Sequence, residues 1–125
     1  MPREPKSVPG IKPAGPYSPA VIVSGRLLFC SSQGPTDYAT GKHVEGTIHK
    51  ETRQALTNIR TIVEGSGGSL ANAVKTTVFL RDMADFAGMN EVYTEFFPEP
   101  RGARTTVQSN LNFRVSIDVI VALDV

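Results

Sequence analysis

Apolar and polar positions alternate along Val74-Lys75-Thr76-Thr77-Val78-Phe79-Leu80, a stretch rich in β-branched residues, and predict a strand. The same reasoning gives strands over Ala20 to Val23, Leu27 to Ser31, Arg104 to Gln108 and Val115 to Leu123. The link Ser24-Gly25-Arg26 is short enough to join the first two as a hairpin. Helical spacing appears twice. Ala55, Leu56, Ile59, Ile62 and Val63 predict a helix from Ile48 to about Glu64, with Thr47 as N-cap and Gly65, Gly67 and Gly68 at its end. Phe86, Met89, Tyr93, Phe96 and Phe97 form the stripe of a second helix, Met83 to Phe97, which Asp82 can cap. A polar loop is expected between Gly34 and Gly46, with Asp37, Gly41 and Lys42 as turn formers.

The predicted order is β-β-α-β-α-β-β, an α+β arrangement of one sheet with two helices on one face. The last strand adds a detail. Val115, Ile117, Val119, Val121 and Leu123 point one way, and Ser116, Asp118, Ile120 and Ala122 the other. That second set is also largely apolar, whereas a face shown to water should be polar. Something covers it, most simply another copy of the chain.

Length sets one domain over residues 1–125, with enough chain for a sizeable core. Six of the nine prolines fall within the first 19 residues, so residues 1–14 are expected as an extended arm. A net charge of +1 without a basic block argues against nucleic acid as the partner. Cys30 is the single cysteine and lies in an apolar run, where it packs rather than reacts. With no apolar signal region at Met1-Pro2-Arg3-Glu4-Pro5 and no apolar run of bilayer length, the expected setting is a reducing one, the cytoplasm or an organelle. His43 and His49 lack the spacing of a metal site, and Gly65-Ser66-Gly67-Gly68 follows a helix rather than opening one.

Two charges stand in strands suited to a core: Arg104, at the head of Arg104-Thr105-Thr106-Val107-Gln108, and Asp118. Neither is cheaply buried alone. Arg104 shares a strand face with Thr106 and Gln108, and its planar fork matches a carboxylate. It is read either as an anchor for a small anion or as a structural partner of Asp118, Asp82 or a helix carbonyl. Asp118 either orients a water or balances Arg104 or Arg114. Tyr17 on its proline-flanked segment can wall a pocket or pin the arm. Ser31 and Ser32 close a strand where backbone groups come free, and Asn90 lies beside the Phe86–Tyr93 stripe.

Three segments taken together resemble the Rid family of reactive intermediate deaminases, of the YjgF type. They are Gly15-Pro16-Tyr17-Ser18-Pro19-Ala20, the stretch from Asn72 to Phe86, and Gly102-Ala103-Arg104-Thr105-Thr106-Val107. The likeness runs from about Gly15 to the C-terminus. It implies a chorismate mutase-like α+β fold with a mixed sheet, a homotrimer built around a barrel of sheets, and ligand clefts between subunits. It further implies hydrolysis of 2-imino acids or their enamines, such as 2-iminobutanoate and 2-iminopropanoate, to 2-oxo acids and ammonia, without metal or cofactor. By the same resemblance Arg104 anchors the substrate carboxylate and Asp118 positions water. Tyr17, Ser31, Phe86 and Asn90 line the cleft. Three positions depart from the family pattern. Thr106 replaces a cysteine, Ser32 a glycine, and Asp118 a glutamate one methylene longer. A module that binds 2-oxo acids in the same cleft without turnover is the alternative these departures raise.

Overall fold

The computed structural model describes residues 2–125. Eight strands and two helices run in the order β1 (Arg3–Lys6), β2 (Ala20–Val23), β3 (Leu27–Gln33), β4 (Thr36–Asp37), β5 (Lys42–His43), α1 (Ile48–Gly65), β6 (Ala73–Leu80), α2 (Phe86–Phe96), β7 (Ala103–Gln108) and β8 (Val115–Ala122). The main sheet is mixed and four-stranded, in the order β3-β8-β6-β7. Its β6–β7 pair is parallel, joined through α2, and its other pairs are antiparallel. Both helices pack on one face, as the hydrophobic pattern predicts.

The helix stripes form the core. Ala55, Leu56, Ile59 and Val63 of α1 and Met89 and Tyr93 of α2 meet Val78, Leu80, Ile117, Val119 and Val121 of the sheet. Thr47 caps α1 by accepting from the Lys50 amide. Gly67, at φ +90°, takes the left-handed conformation that ends it. Asp82 accepts from the Ala84 amide, but what it caps is a 3-10 turn, Met83–Asp85, and the α-helix begins only at Phe86.

Two local expectations fail. Ser24-Gly25-Arg26 does not close a hairpin, because β2 pairs with the N-terminal β1, while β3 pairs with β8. The arm is held by Arg3, which is buried and donates to the Ala73 and Pro100 carbonyls, both at 2.6 Å. The second difference is a short ribbon, β4 with β5, inside the polar loop. Asn58 of α1 steadies it by donating to the Thr36 carbonyl at 2.7 Å.

The outer face of the main sheet carries exposed apolar side chains along with the polar row of Asp118, Thr77 and Thr105. Phe29 is 69% exposed, and Leu27 and Val107 are exposed as well. Phe29 pairs with Ile120, and Val107 with Phe79, so these side chains share that face.

Candidate functional site

Arg104 and Thr106 stand on the edge strand β7, facing the helices. In the register Arg104 lies beside Thr76 and Thr106 beside Val78, and both of those neighbours belong to the helix-facing side. Arg104 is buried, and none of its three guanidinium nitrogens finds an acceptor among the described residues. Aromatic rings surround it instead. Its Cζ lies 4.9 Å from the centre of the Tyr17 ring, 4.8 Å from Tyr93 and 5.5 Å from Phe86. Ring faces attract a cation but accept none of its N–H groups in the plane of the fork.

Each wall of this cage has a local cause. Phe86, Asn90 and Tyr93 fall at helical spacing on one face of α2. The Tyr93 hydroxyl and Thr76 Oγ1 are hydrogen-bonded at 2.7 Å, and the ring stacks on Phe97 at 4.4 Å. Tyr17 arrives on the proline-bounded segment, fixed because the Ser18 amide donates to the Gly102 carbonyl at 2.9 Å. A Cβ on Gly15 would sit 3.1 Å from Arg104 Nη2 and 3.1 Å from Tyr17 Cε2, a tight approach that the glycine avoids.

Burial pulls the Arg104 pKa below its ordinary value, and the nearby Tyr93 and Tyr17 hydroxyls pull it back up. An arginine stays charged at neutral pH regardless. Burial raises the Tyr93 pKa, against the opposing Thr76 hydrogen bond and the Arg104 and Arg101 charges, so the phenol stays neutral. Asn90 Oδ1 is likewise buried without a hydrogen-bond donor.

The predicted site residues therefore divide. Tyr17, Phe86, Asn90, Arg104 and Thr106 gather on the helix side of β7. Asp118 does not join them. It pairs with Thr77, which pairs with Thr105, and this row faces the outer side of the sheet. Arg104 has no ion pair with Asp118 or Asp82, and Arg114 turns to Glu51 and Asp85. The expectation that Asp118 serves a substrate held by Arg104 is not met within one chain, because strand alternation sends the two side chains to opposite faces. Its charge is instead felt at Cys30, whose thiol is pushed up first by burial and then by Asp118.

Ser31 and Ser32 lie on β3, at the far edge of the sheet from β7. Three strand spacings separate them from Arg104, roughly 14 Å. The Ser32 hydroxyl is engaged with that of Ser116. Sequence reasoning placed Tyr93 in the core stripe but not at the site, and passed over Gly15. The signal for Tyr93 was its place seven residues after Phe86 on the same face.

A separate pocket is lined by His43, Glu45, Glu51, Arg81, Phe113 and Arg114. Its Arg114 is engaged by the Gly46 carbonyl at 2.8 Å and by Asp85 at 3.3 Å, so that guanidinium is already partnered. No group of three or more metal-ligating side chains occurs among the described residues. Among them, too, no helix is long and apolar enough to cross a membrane.

Comparison with known proteins bears on the family and the fold. The model of the family described as Endoribonuclease L-PSP matches residues 9–123. A RutC family protein of Pyrococcus horikoshii is 47% identical over 90% of this chain and 86% of its own. The 2-iminobutanoate/2-iminopropanoate deaminase of Dermatophagoides farinae is 40% identical over 90% of each chain. The crystal structure of RidA from the Antarctic bacterium Psychrobacter sp. PAMC 21119 superposes with a TM-score of 0.74 at 36% identity, covering 89% of this chain and 91% of that one.

Proposed function

This chain belongs to the Rid family, whose sequence model carries the L-PSP description, and we propose that within it the protein is a hydrolytic deaminase of 2-imino acids. The observation that carries the reading is Arg104: a buried cation among three rings whose N–H fork meets no acceptor among the described residues. A substrate carboxylate supplies two acceptor oxygens in the plane of that fork. The rings at 4.8 to 5.5 Å exclude water from the ion pair and strengthen it.

The reaction is balanced by water alone. Water adds its oxygen to the imine carbon of R–C(=NH)–COO⁻ and one of its protons moves to nitrogen; the second proton then passes from the adduct hydroxyl to the amine as the C–N bond breaks, giving R–CO–COO⁻ and NH₃. The imine is already electrophilic, so what the chain contributes is a fixed carboxylate and a dry, oriented approach for water. Tyr17, Phe86, Asn90 and Thr106 form the walls.

Ser31 and Ser32 reach such a substrate only from a second copy, because β3 and β7 are opposite edges of the sheet. This favours clefts between subunits of a homotrimer. The exposed apolar side chains of the outer face, Phe29, Leu27 and Val107, supply a surface for that assembly.

The test generates 2-iminobutanoate or 2-iminopropanoate with an amino-acid oxidase and traps what survives with semicarbazide. Faster imine loss, abolished by Arg104→Ala, supports the reading. No acceleration by the unaltered protein defeats it. A second reading has a specific observation behind it. No carboxylate base stands with Arg104 on its sheet face, as a 2-oxo acid binding module without turnover would have it. Saturable binding of 2-oxobutanoate by calorimetry, with no effect on the imine, is what that reading requires.

A further inference from the structure

No hydrogen bond orients the Arg104 guanidinium, because all three of its nitrogens lack an acceptor among the described residues. The plane of its fork is therefore set by the rings around it. Those rings are not equally fixed. Tyr17 and Phe86 are half-buried, whereas Tyr93 is 1% exposed. Tyr93 is also held at two points. Its ring stacks on Phe97, and its hydroxyl shares a hydrogen bond of 2.7 Å with Thr76 Oγ1. Thr76 is itself buried and stands level with Arg104 on the neighbouring strand.

A threonine breaks the pattern there. The rest of the helix-facing row of β6 is Val74, Val78 and Leu80, all buried and apolar. A valine would fill the same space and bring no hydroxyl that needs a partner. We infer that Thr76 is a positioning residue for Arg104. Its hydroxyl holds Tyr93, the Tyr93 ring sets the plane of the guanidinium, and that plane decides how well the fork meets a substrate carboxylate. The inference rests on the reading of Arg104 as a carboxylate anchor and names the residue that steadies it. Bidentate pairing depends on orientation, and a fork already held in place spares the complex the entropy of ordering it. Thr76 acts from behind the ring. Its effect therefore falls on binding of the carboxylate rather than on the addition of water to the imine carbon.

The experiment compares the unaltered protein with Thr76→Val, Thr76→Ser, Tyr93→Phe and the double variant Thr76→Val/Tyr93→Phe. Each is measured for KM and kcat on 2-iminobutanoate, for the dissociation constant of 2-oxobutanoate by calorimetry, and for its thermal midpoint. Thr76→Val and Tyr93→Phe are each expected to raise KM and the dissociation constant together, roughly three- to tenfold, the worth of one hydrogen bond. In both, kcat should stay within about twofold. Thr76→Ser keeps the hydroxyl and should restore both constants. The double variant should be no worse than either single one, since the same bond is lost once. A lower midpoint in Thr76→Val with unchanged KM and dissociation constant would overturn the inference and leave Thr76 a structural residue. So would a serine variant as impaired as the valine one, or losses that multiply in the double variant. If Thr76→Val does not fold, Tyr93→Phe reads the same contact from its other end. An unaltered protein that binds 2-oxobutanoate without turning over the imine would overturn the deaminase reading alone, and the dissociation constants then decide the role of Thr76. One that binds neither compound would overturn the anchor and the positioning role together.

Discussion

Arg104 and Asp118 stand on opposite faces of one sheet, with β6 between their strands: Arg104 is level with Thr76, and Asp118 with Thr77. The single-residue offset along β6 is enough to part them. Two charges that look like a pair in the sequence thus work in different surroundings. Removing Arg104 leaves a substrate carboxylate without its fork, and Arg104→Ala is expected to lower kcat/KM on 2-iminobutanoate roughly 100-fold or more. Arg104→Lys, with a point charge and no fork, should recover little. Asp118→Asn should cost less than about threefold, since its side chain is turned away from the cage. A loss for Asp118→Asn as large as that for Arg104→Ala would mean that a second copy brings Asp118 to the site.

The Tyr93 phenol predicts an alkaline weakness. Burial raises its pKa in the folded state, so the fold favours the neutral phenol. Its contribution is full below the unfolded value of about 10 and is lost as pH rises from there through the folded value. Urea unfolding followed between pH 8 and 11 should show stability falling over that range. Tyr93→Phe keeps the ring against Arg104 but removes the titration, and the variant should lose part of the fall. Identical pH profiles for the two proteins would remove Tyr93 as its source.

How far the sequence foretold this arrangement depends on the range of each interaction. Helix α1, strand β6 and the alternation in β8 were legible because burial enforces a local period. Leu56 and Ile59 at helical spacing, and Val119 and Val121 at strand spacing, report which face is inside. The failures are non-local. Nothing in Ser24-Gly25-Arg26 says that β3 will pair with β8 rather than β2, since that choice is made by an edge about 90 residues away in the chain. Arg3 drew no reading from the sequence, because its acceptors, the carbonyls of Ala73 and Pro100, are backbone groups without a sequence signature. The cage was half visible. Arg104, Tyr17, Phe86 and Asn90 were picked out by residue chemistry and motif, whereas Tyr93 passed for core because it serves both purposes. That Asp118 and Arg104 face opposite sides of the sheet within one chain was not legible, because sequence distance carries no information about faces on two different strands.

Gly102, just before β7, controls the placement of Arg104 from behind. A Cβ there would lie 2.6 Å from the Ala73 carbonyl oxygen and 2.8 Å from that of Val74, both backbone atoms that cannot swing aside. Gly102→Ala must therefore push β7 away from β6 or distort their start. An overpacking cost of about 1–3 kcal/mol is expected, read as a lower midpoint in urea. Because Arg104 follows two residues later, imine turnover should fall with it. An alanine variant with unchanged midpoint and activity would show that the strand pair is looser than its geometry indicates.

Phe29 tests the assembly. It is 69% exposed, pairs with Ile120 on the outer face of the sheet, and shares that face with Leu27, Phe79 and Val107. In a lone chain, an acidic residue at this position would cost little, because the side chain is mostly in water already. In a homotrimer whose sheets face one another, the same change buries a charge at each of three equivalent positions, which is strongly unfavourable. Phe29→Asp is therefore expected to shift the mass measured by light scattering from trimer to monomer, while the circular dichroism of the subunit is kept. If Ser31 and Ser32 reach the Arg104 cleft from a second copy, imine turnover should fall in step with dissociation, and raising the protein concentration should restore part of it. A variant that stays trimeric would place the interface elsewhere. A monomer with full activity would show that the cage formed by Tyr17, Phe86, Asn90, Tyr93 and Arg104 is a complete site within one chain.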